Sequence, residues 1–255
     1  MTNNQIKDEE IEKNYSLNET NLEQEAYFYI NKLKEYGEYR LPQRAYHIIR
    51  IAIRDLILPP GKTILEREMA EVLQMSRTPV REALVRLETE GLVRIIPRRG
   101  FIVEPIERDD LNQIYEIVET LDGLAVNLAS TKVGEEEINQ LEKLIEQQEE
   151  ALEQEDLKKW AILDDQFHNL IIKFADNKRL NASIDIHSDQ LYRARLYTIN
   201  HRPVLTKSIT EHKAIIACMK TGEGAAARLV MQAHRNRARK EIVDALNLIY
   251  KIDEK

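Results

Sequence analysis

The change of hydrophobic period at Gly91 limits the folds open to this chain more than any other feature. Before it, Val80, Ala83, Leu84 and Leu87 recur at helical spacing and form one core-facing stripe. After it, "LVRII" and "FIVE" predict two short strands, and the connection "PRRG" between them is typical of a tight hairpin. This part of the chain is therefore predicted to be a helix followed by a two-stranded hairpin.

Two further helices are predicted upstream of this one. The first begins near Pro42, which the first turn of a helix tolerates, and runs through "QRAYHIIRIAIRDLIL" until "PPG" at 59–61 ends it. A second, short helix is predicted over 66–74. The third follows "MSR", with Thr78 as its cap and Pro79 in its first turn. Three helices and a two-stranded wing predict a winged helix-turn-helix, a fold that binds DNA.

Positive charge is concentrated in this part of an acidic chain. The whole sequence carries a net charge of −7, yet residues 76–100 contain six arginines. The balance is +3 over residues 42–108, −4 over 1–41 and −6 over 109–255. A basic module between acidic segments indicates a surface that binds a polyanion.

The arginines of the third helix do not share the face of its apolar stripe. At about 100° per residue, Arg77 and Arg81 lie more than 90° from that stripe, whereas Arg86 is expected to be an ordinary surface residue. We therefore expect Arg77 and Arg81 to face the major groove, and the basic wing to lie against the adjacent backbone or minor groove.

Residues 44–104 resemble the GntR family of bacterial transcription regulators. The segments that carry the resemblance are "PPG" (59–61), "LEREMAEVL" (65–73), "SRTPVREALVRLETEGLV" (76–93) and "PRRGFIV" (97–103). The resemblance implies DNA contacts at Arg67, Arg77, Thr78, Arg81, Arg99 and Gly100. One departure is Leu65, where the family usually has a small capping residue, and the loss of such a cap costs about 1 kcal/mol.

The remainder of the chain predicts an all-α bundle. Amphipathic segments follow one another at 109–130, 134–154, 156–176, 178–200, 203–221 and 223–250. They resemble the C-terminal FCD domain of the FadR subgroup through "LDDQFHNLI" (163–171), "DNKRL" (176–180), "ITEHKAIIACMKTGEGAAA" (209–227) and "MQAHRNRA" (231–238). We therefore expect an N-terminal extension over 1–40, a winged helix-turn-helix domain over 41–106, and an FCD-type effector-binding and dimerisation domain over 107–255.

Four side chains of this helical domain could hold a metal ion. Asp164 and His168 are four residues apart and so leave one face of a helix, and His212 and His234 follow apolar residues at helical spacing. Spacing alone is more typical of a paired core histidine than of a metal site. The resemblance, however, implies a divalent ion such as Zn²⁺, Ni²⁺ or Mn²⁺, because all four ligand positions of the metal-binding FCD type are filled.

The same resemblance implies an organic acid effector. An octahedral ion with four protein ligands has two further positions, and in this family a carboxylate takes them. The arginine that the family often carries in the first helix of this domain is replaced by Val118, and Asp122 stands where glutamate is usual. Arg193 and Arg195 could bind the carboxylate instead, or they could be ordinary surface residues.

Three functions remain open at this point. The first is a metal-dependent regulator, expected to be a repressor that binds an inverted-repeat DNA operator as a homodimer. The second is a metal-free regulator of an apolar or acyl ligand, against which a buried Asp/His set argues because burying it without a ligand is costly. The third is a metalloenzyme with an appended DNA-binding domain, for which no separate general base is found beside the ligands.

The remaining features concern location and the N-terminus. A single cysteine, an acidic start and the lack of a long apolar run predict a cytoplasmic protein without a membrane span.

The first 15 or so residues are expected to be disordered. An apolar stripe then predicts an extra helix that ends at Gly37, and this helix could pack on its own subunit or on a partner. The stripe consists of Leu22, Ala26, Tyr29, Ile30, Leu33 and Tyr36.

Overall fold

The computed structural model of the chain describes residues 22–203 and 205–253. The predicted disorder of the first residues therefore lies outside the described part. Contacts within the chain divide it after Ile106 into two units, a winged unit and a helical unit. The predicted fold class, a winged helix-turn-helix followed by an all-α bundle, is confirmed.

Over residues 22–106, the winged unit contains four helices and a small antiparallel sheet. Its elements are α1 (Leu22–Glu35), α2 (Leu41–Arg54), β1 (Thr63–Ile64), α3 (Glu66–Val72), α4 (Arg77–Thr89), β2 (Val93–Ile96) and β3 (Gly100–Val103). The strand order is β1-β3-β2, and Ile96 pairs with Gly100 where the wing turns. The stripe predicted on α4 is buried, at 2% exposure or less for each of its four residues, and it packs on the apolar face of α2.

Three local predictions are wrong. Helix α2 ends at Arg54 rather than at residue 58, because Leu56 has a left-handed φ of 60° and turns the chain back. Thr78 does not cap α4: the helix begins at Arg77, two residues before the predicted start, and Ser76 takes the cap position without a side-chain hydrogen bond. Strand β1, which pairs with β3, was not predicted, since two residues are too few to show a period.

Helix α1 packs against the winged unit of its own chain. Tyr29 is 3% exposed and belongs to the core of this unit, with Leu33 and Tyr36 packed beside it. The Tyr36 ring stacks on His47 at a centroid distance of 5.3 Å. The predicted stripe is wrong at Ile30, which is 52% exposed.

In its described residues, the helical unit contains six long helices, whose ends lie within a few residues of the predicted ones, and a short 3-10 helix at Ile199–His201. The long helices are α5 (Arg108–Ser130), α6 (Glu135–Glu153), α7 (Leu157–Phe174), α8 (Lys178–Thr198), α9 (Thr206–Lys220) and α10 (Gly224–Asp253). Asp156 caps α7 by accepting from the backbone N–H of Lys159, and Asn177 caps α8 in the same way. Within the described parts of the chain, no helix combines the length and the apolar character that a membrane span requires.

Gly100 fixes the geometry at the start of β3. Its φ is +97°, and a Cβ built on it would lie 2.6 Å from the carbonyl oxygen of Ile64 on the neighbouring strand. Leu65, which precedes α3 without a side-chain cap, would be 3.1 Å from the same Cβ. Only glycine allows β1 to approach β3 this closely.

Gly100→Ala is therefore expected to destabilise the winged unit by about 2–4 kcal/mol, since left-handed strain and a backbone clash act together. Gly222→Ala is the matched control, because Gly222 has φ +72° but nothing within 4 Å of its Cβ position. Amide hydrogen exchange measures the loss of stability in each variant, at β3 for Gly100→Ala and at α9 for Gly222→Ala. Equal losses would contradict the role given to the clash.

Candidate metal centre and DNA interface

The four predicted metal ligands meet inside the helical unit. Asp164 and His168 come from α7, His212 from α9 and His234 from α10, and each is at most 3% exposed. Nitrogens of the three imidazoles lie within 4.8 Å of one another. The Asp164 carboxylate oxygens lie 3.7 Å from His212 Nε2 and 4.0 Å from His168 Nε2. Three segments that are far apart in sequence thus converge on one point.

A glutamine of α6 fixes the ring of His212. The Gln148 amide donates to the carbonyl oxygen of Leu163 at 3.3 Å, which turns its own oxygen towards His212 Nδ1 at 3.1 Å. An amide oxygen only accepts, so His212 donates from Nδ1 and keeps a lone pair on Nε2. Nε2 is buried and has no hydrogen-bond partner among the described residues.

A carboxylate fixes the ring of His234 in the same way. Glu211 Oε2 lies 2.7 Å from His234 Nδ1, and Arg237 donates to both oxygens of that carboxylate at 2.7 and 2.6 Å. Burial raises the pKa of Glu211, but the hydrogen bonds from His234 and Arg237 outweigh it and bring the pKa to about 2. Glu211 is thus an ionised acceptor, and His234 also keeps its Nε2 lone pair.

Burial keeps the imidazoles in the form that binds metal. It lowers the pKa of His168 and His212 well below the ordinary value for histidine, and the positive charge of Arg235 adds to the effect. Burial also lowers the pKa of His234. Neutral imidazoles are the ligand form for divalent ions.

The arrangement fits a divalent cation. Both ring nitrogens of His168 are buried without a hydrogen-bond partner among the described residues, which is costly for polar groups unless a ligand binds them. Two ligand atoms on one ion with bonds of about 2.0–2.2 Å can be at most about 4.4 Å apart. Asp164 Oδ1 lies within that limit of His212 Nε2, and Asp164 Oδ2 lies within it of His168 Nε2, while the three imidazole nitrogens lie within 4.8 Å of one another.

Arg195 lies directly beside these ligands. Its Nη1 is 2.9 Å from Asp164 Oδ2. Burial raises the pKa of Asp164, but Arg195 and the histidines outweigh it, so the net pKa lies below the ordinary value. Arg193 is also buried. It lies two residues before Arg195 on α8, so its side chain leaves the helix about 200° from that of Arg195. The alternative that both arginines are surface residues is wrong.

A second buried arginine next to the centre was missed from the sequence. Arg235 follows His234, and its Nε and Nη2 both lie 2.6 Å from Asp122 Oδ2 on α5. Arginine and aspartate are at most 4% exposed. Asp122, the position that departs from the family pattern, is thus one half of a buried ion pair. The sequence gives no signal for it, since the two residues are 113 positions apart.

In the winged unit, the predicted DNA-contacting side chains lie on the surface. Arg67, Arg77, Thr78, Arg81 and Arg99 are exposed and Gly100 is half-buried. The described residues offer no ion-pair partner to Arg67, Arg77 or Arg99, and Arg81 is 3.9 Å from Glu66.

Two other arginines of the winged unit, Arg86 and Arg94, are held by its own residues. Arg86 lies over the Tyr46 ring at 3.6 Å and pairs with Glu90 at 3.1 Å, and Arg94 pairs with Glu104 at 3.3 Å. Among the predicted contact residues, Arg67, Arg77 and Arg99 therefore have charge left for another molecule. Gly100 also has a structural role, because only glycine at this position allows β1 to approach β3 so closely.

Both units match the sequence models of known protein families. Residues 41–103 match the sequence model of bacterial regulatory proteins of the gntR family, and residues 113–237 match that of the FCD domain. The chain belongs to the GntR family, in its FadR-like subgroup with a C-terminal FCD domain. The first match contains all six predicted DNA-contacting positions and the second all four predicted metal ligands, while α1 lies outside both.

Relatives of this GntR regulator carry similar names. An HTH-type transcriptional regulator of Agrobacterium vitis is 41% identical over 51% of this chain and 78% of its own. The HTH-type transcriptional regulator YdhC of Bacillus subtilis is 31% identical over 75% of this chain and 86% of its own. Family and relatives together indicate a DNA-binding transcription regulator and not an enzyme.

Solved structures share the fold. Escherichia coli McbR/YncC superposes with a TM-score of 0.70 at 21% identity, over 84% of this chain and 98% of that one. A GntR regulator of Rhodococcus sp. RHA1 gives a TM-score of 0.64 at 21% identity, over 80% and 97%.

The buried pair on α5 and α10 generates a prediction on stability. Arg235→Met leaves Asp122 buried and uncompensated, so we expect a loss of about 3–5 kcal/mol in the free energy of unfolding. The double variant Asp122→Leu/Arg235→Met should recover most of that loss, since no unpaired charge remains. Urea unfolding followed by the fluorescence of Trp160, the single tryptophan and buried in this unit, measures both. A double variant as unstable as Arg235→Met would contradict this account.

Proposed function

We propose that this GntR regulator is a repressor whose helical domain holds a divalent metal ion and responds to a small carboxylate. The observation that carries the proposal is the buried set of Asp164, His168, His212 and His234, in which the three imidazoles each bring a nitrogen within 4.8 Å of the others and nitrogens of His168 and His212 lack hydrogen-bond partners among the described residues. These four side chains would hold Zn²⁺, Ni²⁺ or Mn²⁺. The ion, when bound, would supply open positions for an anion.

The residues around the ligands favour an anionic effector. Arg195 is buried at 4% exposure against Asp164, and Arg235 is buried next to His234. Arg193 is buried on the same helix as Arg195. Guanidinium groups in a site without bulk water bind carboxylates strongly, so Arg195 remains the proposed effector-binding residue, whereas Arg193, which leaves α8 on another face, is no longer proposed.

DNA binding is proposed to use the exposed arginines of α3, α4 and the wing. One recognition helix covers only a few base pairs, so a homodimer on an inverted repeat doubles the site read. Repression is supported by the name of one relative: the HTH-type transcriptional repressor RspR of E. coli is 28% identical over 75% of this chain and 84% of its own. A cytoplasmic location is part of the same proposal.

A metal-free domain that senses an apolar or acyl ligand is the second candidate. Its support is the replacement of the family arginine by Val118, which is fully buried. Against it stands the cost of burying three imidazoles and a carboxylate without a ligand that satisfies them. Metal content distinguishes the two candidates.

The metal prediction is one ion per chain in protein purified without a histidine tag. Because the ion binds only the folded state, stability rises by RT ln(1 + [M]/Kd), about 2.7 kcal/mol at a hundredfold excess over Kd. Zn²⁺, Ni²⁺ or Mn²⁺ should raise the melting temperature, and a chelator should lower it. His212→Ala should abolish the shift, and His201→Ala, which alters an exposed histidine, should keep it. Less than about 0.1 metal per chain with no thermal shift would refute the site.

The DNA prediction concerns the reading face of α4. Arg77→Ala and Arg81→Ala should each lose about 1–3 kcal/mol of discrimination against wrong bases. Arg179→Ala, an exposed arginine of the helical unit, is the control and should bind DNA like the wild type. Competition between a duplex selected in vitro by the wild-type protein and its single-base variants provides the measurement. Wild-type footprints from both α4 variants would show that the reading face lies elsewhere.

A further inference from the structure

Two further buried side chains of the helical unit have polar atoms that nothing in the chain satisfies. Tyr115 on α5 is 1% exposed, and its hydroxyl has no hydrogen-bond partner among the described residues. The side chain of Arg202, just after the 3-10 helix, is 2% exposed, and its Nε likewise has no partner within the described ranges. Leaving such groups buried and unsatisfied is costly, so both atoms indicate a ligand.

The pairing of α5 with α10 places these two side chains at the same level of the bundle. The ion pairs between the two helices run in opposite directions along them: Asp122 with Arg235, and Glu116 with Arg239. Tyr115 therefore stands opposite the part of α10 just beyond residue 239. Glu241 lies in that part, and its Oε2 is 3.2 Å from Nη2 of Arg202. Tyr115 and Arg202 are thus neighbours in the fold.

Both side chains are close to the proposed metal centre. The 3-10 helix before Arg202 packs against α7, α8 and α10, the helices that carry Asp164, Arg195 and His234. Burial lowers the pKa of Arg202, while the nearby Tyr115 and Asp164 oppose this shift and Arg195 adds to it. Arg195 in turn is 2.9 Å from Asp164. The two arginines and the tyrosine therefore surround one side of the centre.

The free atoms of this group are suited to an acid group. A guanidinium N–H can only donate, and a tyrosine hydroxyl can donate to the same acceptor. The Glu241 carboxylate does not neutralise Arg202 alone, because it also binds Arg237 at 2.6 Å. An anion that offers several lone pairs, such as a carboxylate, would satisfy both free donors and the remaining positive charge.

We propose that Tyr115 and Arg202 bind a second acid group of the effector, which makes the effector a dicarboxylate. The inference rests on the proposed function, in which one carboxylate meets the ion and Arg195, and it names the chemical class of that effector. A compound with a single acid group would leave the Tyr115 hydroxyl and the Arg202 Nε unsatisfied. A compound with two acid groups would satisfy both ends of the site, so it should bind more tightly.

The test compares one acid group with two. Full-length protein loaded with Zn²⁺ and freed of excess ion is titrated with acetate, malonate, succinate and glutarate, by calorimetry and by thermal shift. We expect at least one of the three dicarboxylates to bind about tenfold or more tightly than acetate. Tyr115→Phe should weaken that dicarboxylate by about 10- to 100-fold, since a hydrogen bond to a charged group is lost, and should leave acetate binding unchanged. Arg202→Met should show the same selectivity.

Tyr115→Phe removes a single unsatisfied atom, so without ligand its melting temperature should be no lower than that of the wild type. Arg239→Met is the matched control for the arginine, because Arg239 pairs at 3.8 Å with the exposed Glu116. This control should bind the dicarboxylate like the wild type.

Two results would overturn the inference alone: acetate bound as tightly as all three dicarboxylates, or wild-type dicarboxylate affinity in Tyr115→Phe. A lower melting temperature of ligand-free Tyr115→Phe with unchanged affinity would show that the hydroxyl has a structural role, which also overturns it. If the Zn²⁺-loaded wild type binds none of the four acids, the proposed carboxylate response itself is contradicted.

Discussion

The helical domain is organised around three imidazoles and one carboxylate that it removes from water. Buried polar groups have to be satisfied by hydrogen bonds or by a ligand, and here each neighbouring helix contributes to that. Gln148 from α6 orients His212, Glu211 from α9 orients His234, and Arg195 from α8 holds Asp164. The nitrogens left over point towards one another, which is why the same contacts that specify the packing also produce a site for a cation.

The two domains use arginine in opposite ways. In the helical domain, Arg235 and Arg237 are bound by carboxylates, which makes burial of the charge tolerable and fixes neighbouring side chains. In the winged domain, Arg77 and Arg99 remain exposed and without an ion pair among the described residues. The acidic net charge of the chain therefore does not weaken the case for DNA binding, because local pairing decides which cations can reach a phosphate.

The sequence predicted the features whose determinants lie within one segment of the chain. Apolar periods gave the helices to within a few residues, and the resemblance named four ligands that the structure brings together. The sequence did not predict features that depend on a residue far away in the chain or on a single backbone angle. Gln148 and His212 are 64 positions apart, β1 forms only because Gly100 admits it, and the left-handed Leu56 ends α2 early. Periodicity identifies the face that is buried, but not the polar partner that meets it there.

Anomalous diffraction from crystals grown with Zn²⁺ shows whether these helices form one metal centre. Data collected on both sides of the zinc absorption edge locate the ion independently of any assumption about its ligands. The account predicts one strong anomalous difference peak per chain, enclosed by Asp164, His168, His212 and His234, with ligand bonds of about 2.0–2.2 Å. A peak elsewhere in the chain, or density at the centre without an anomalous signal, would contradict it.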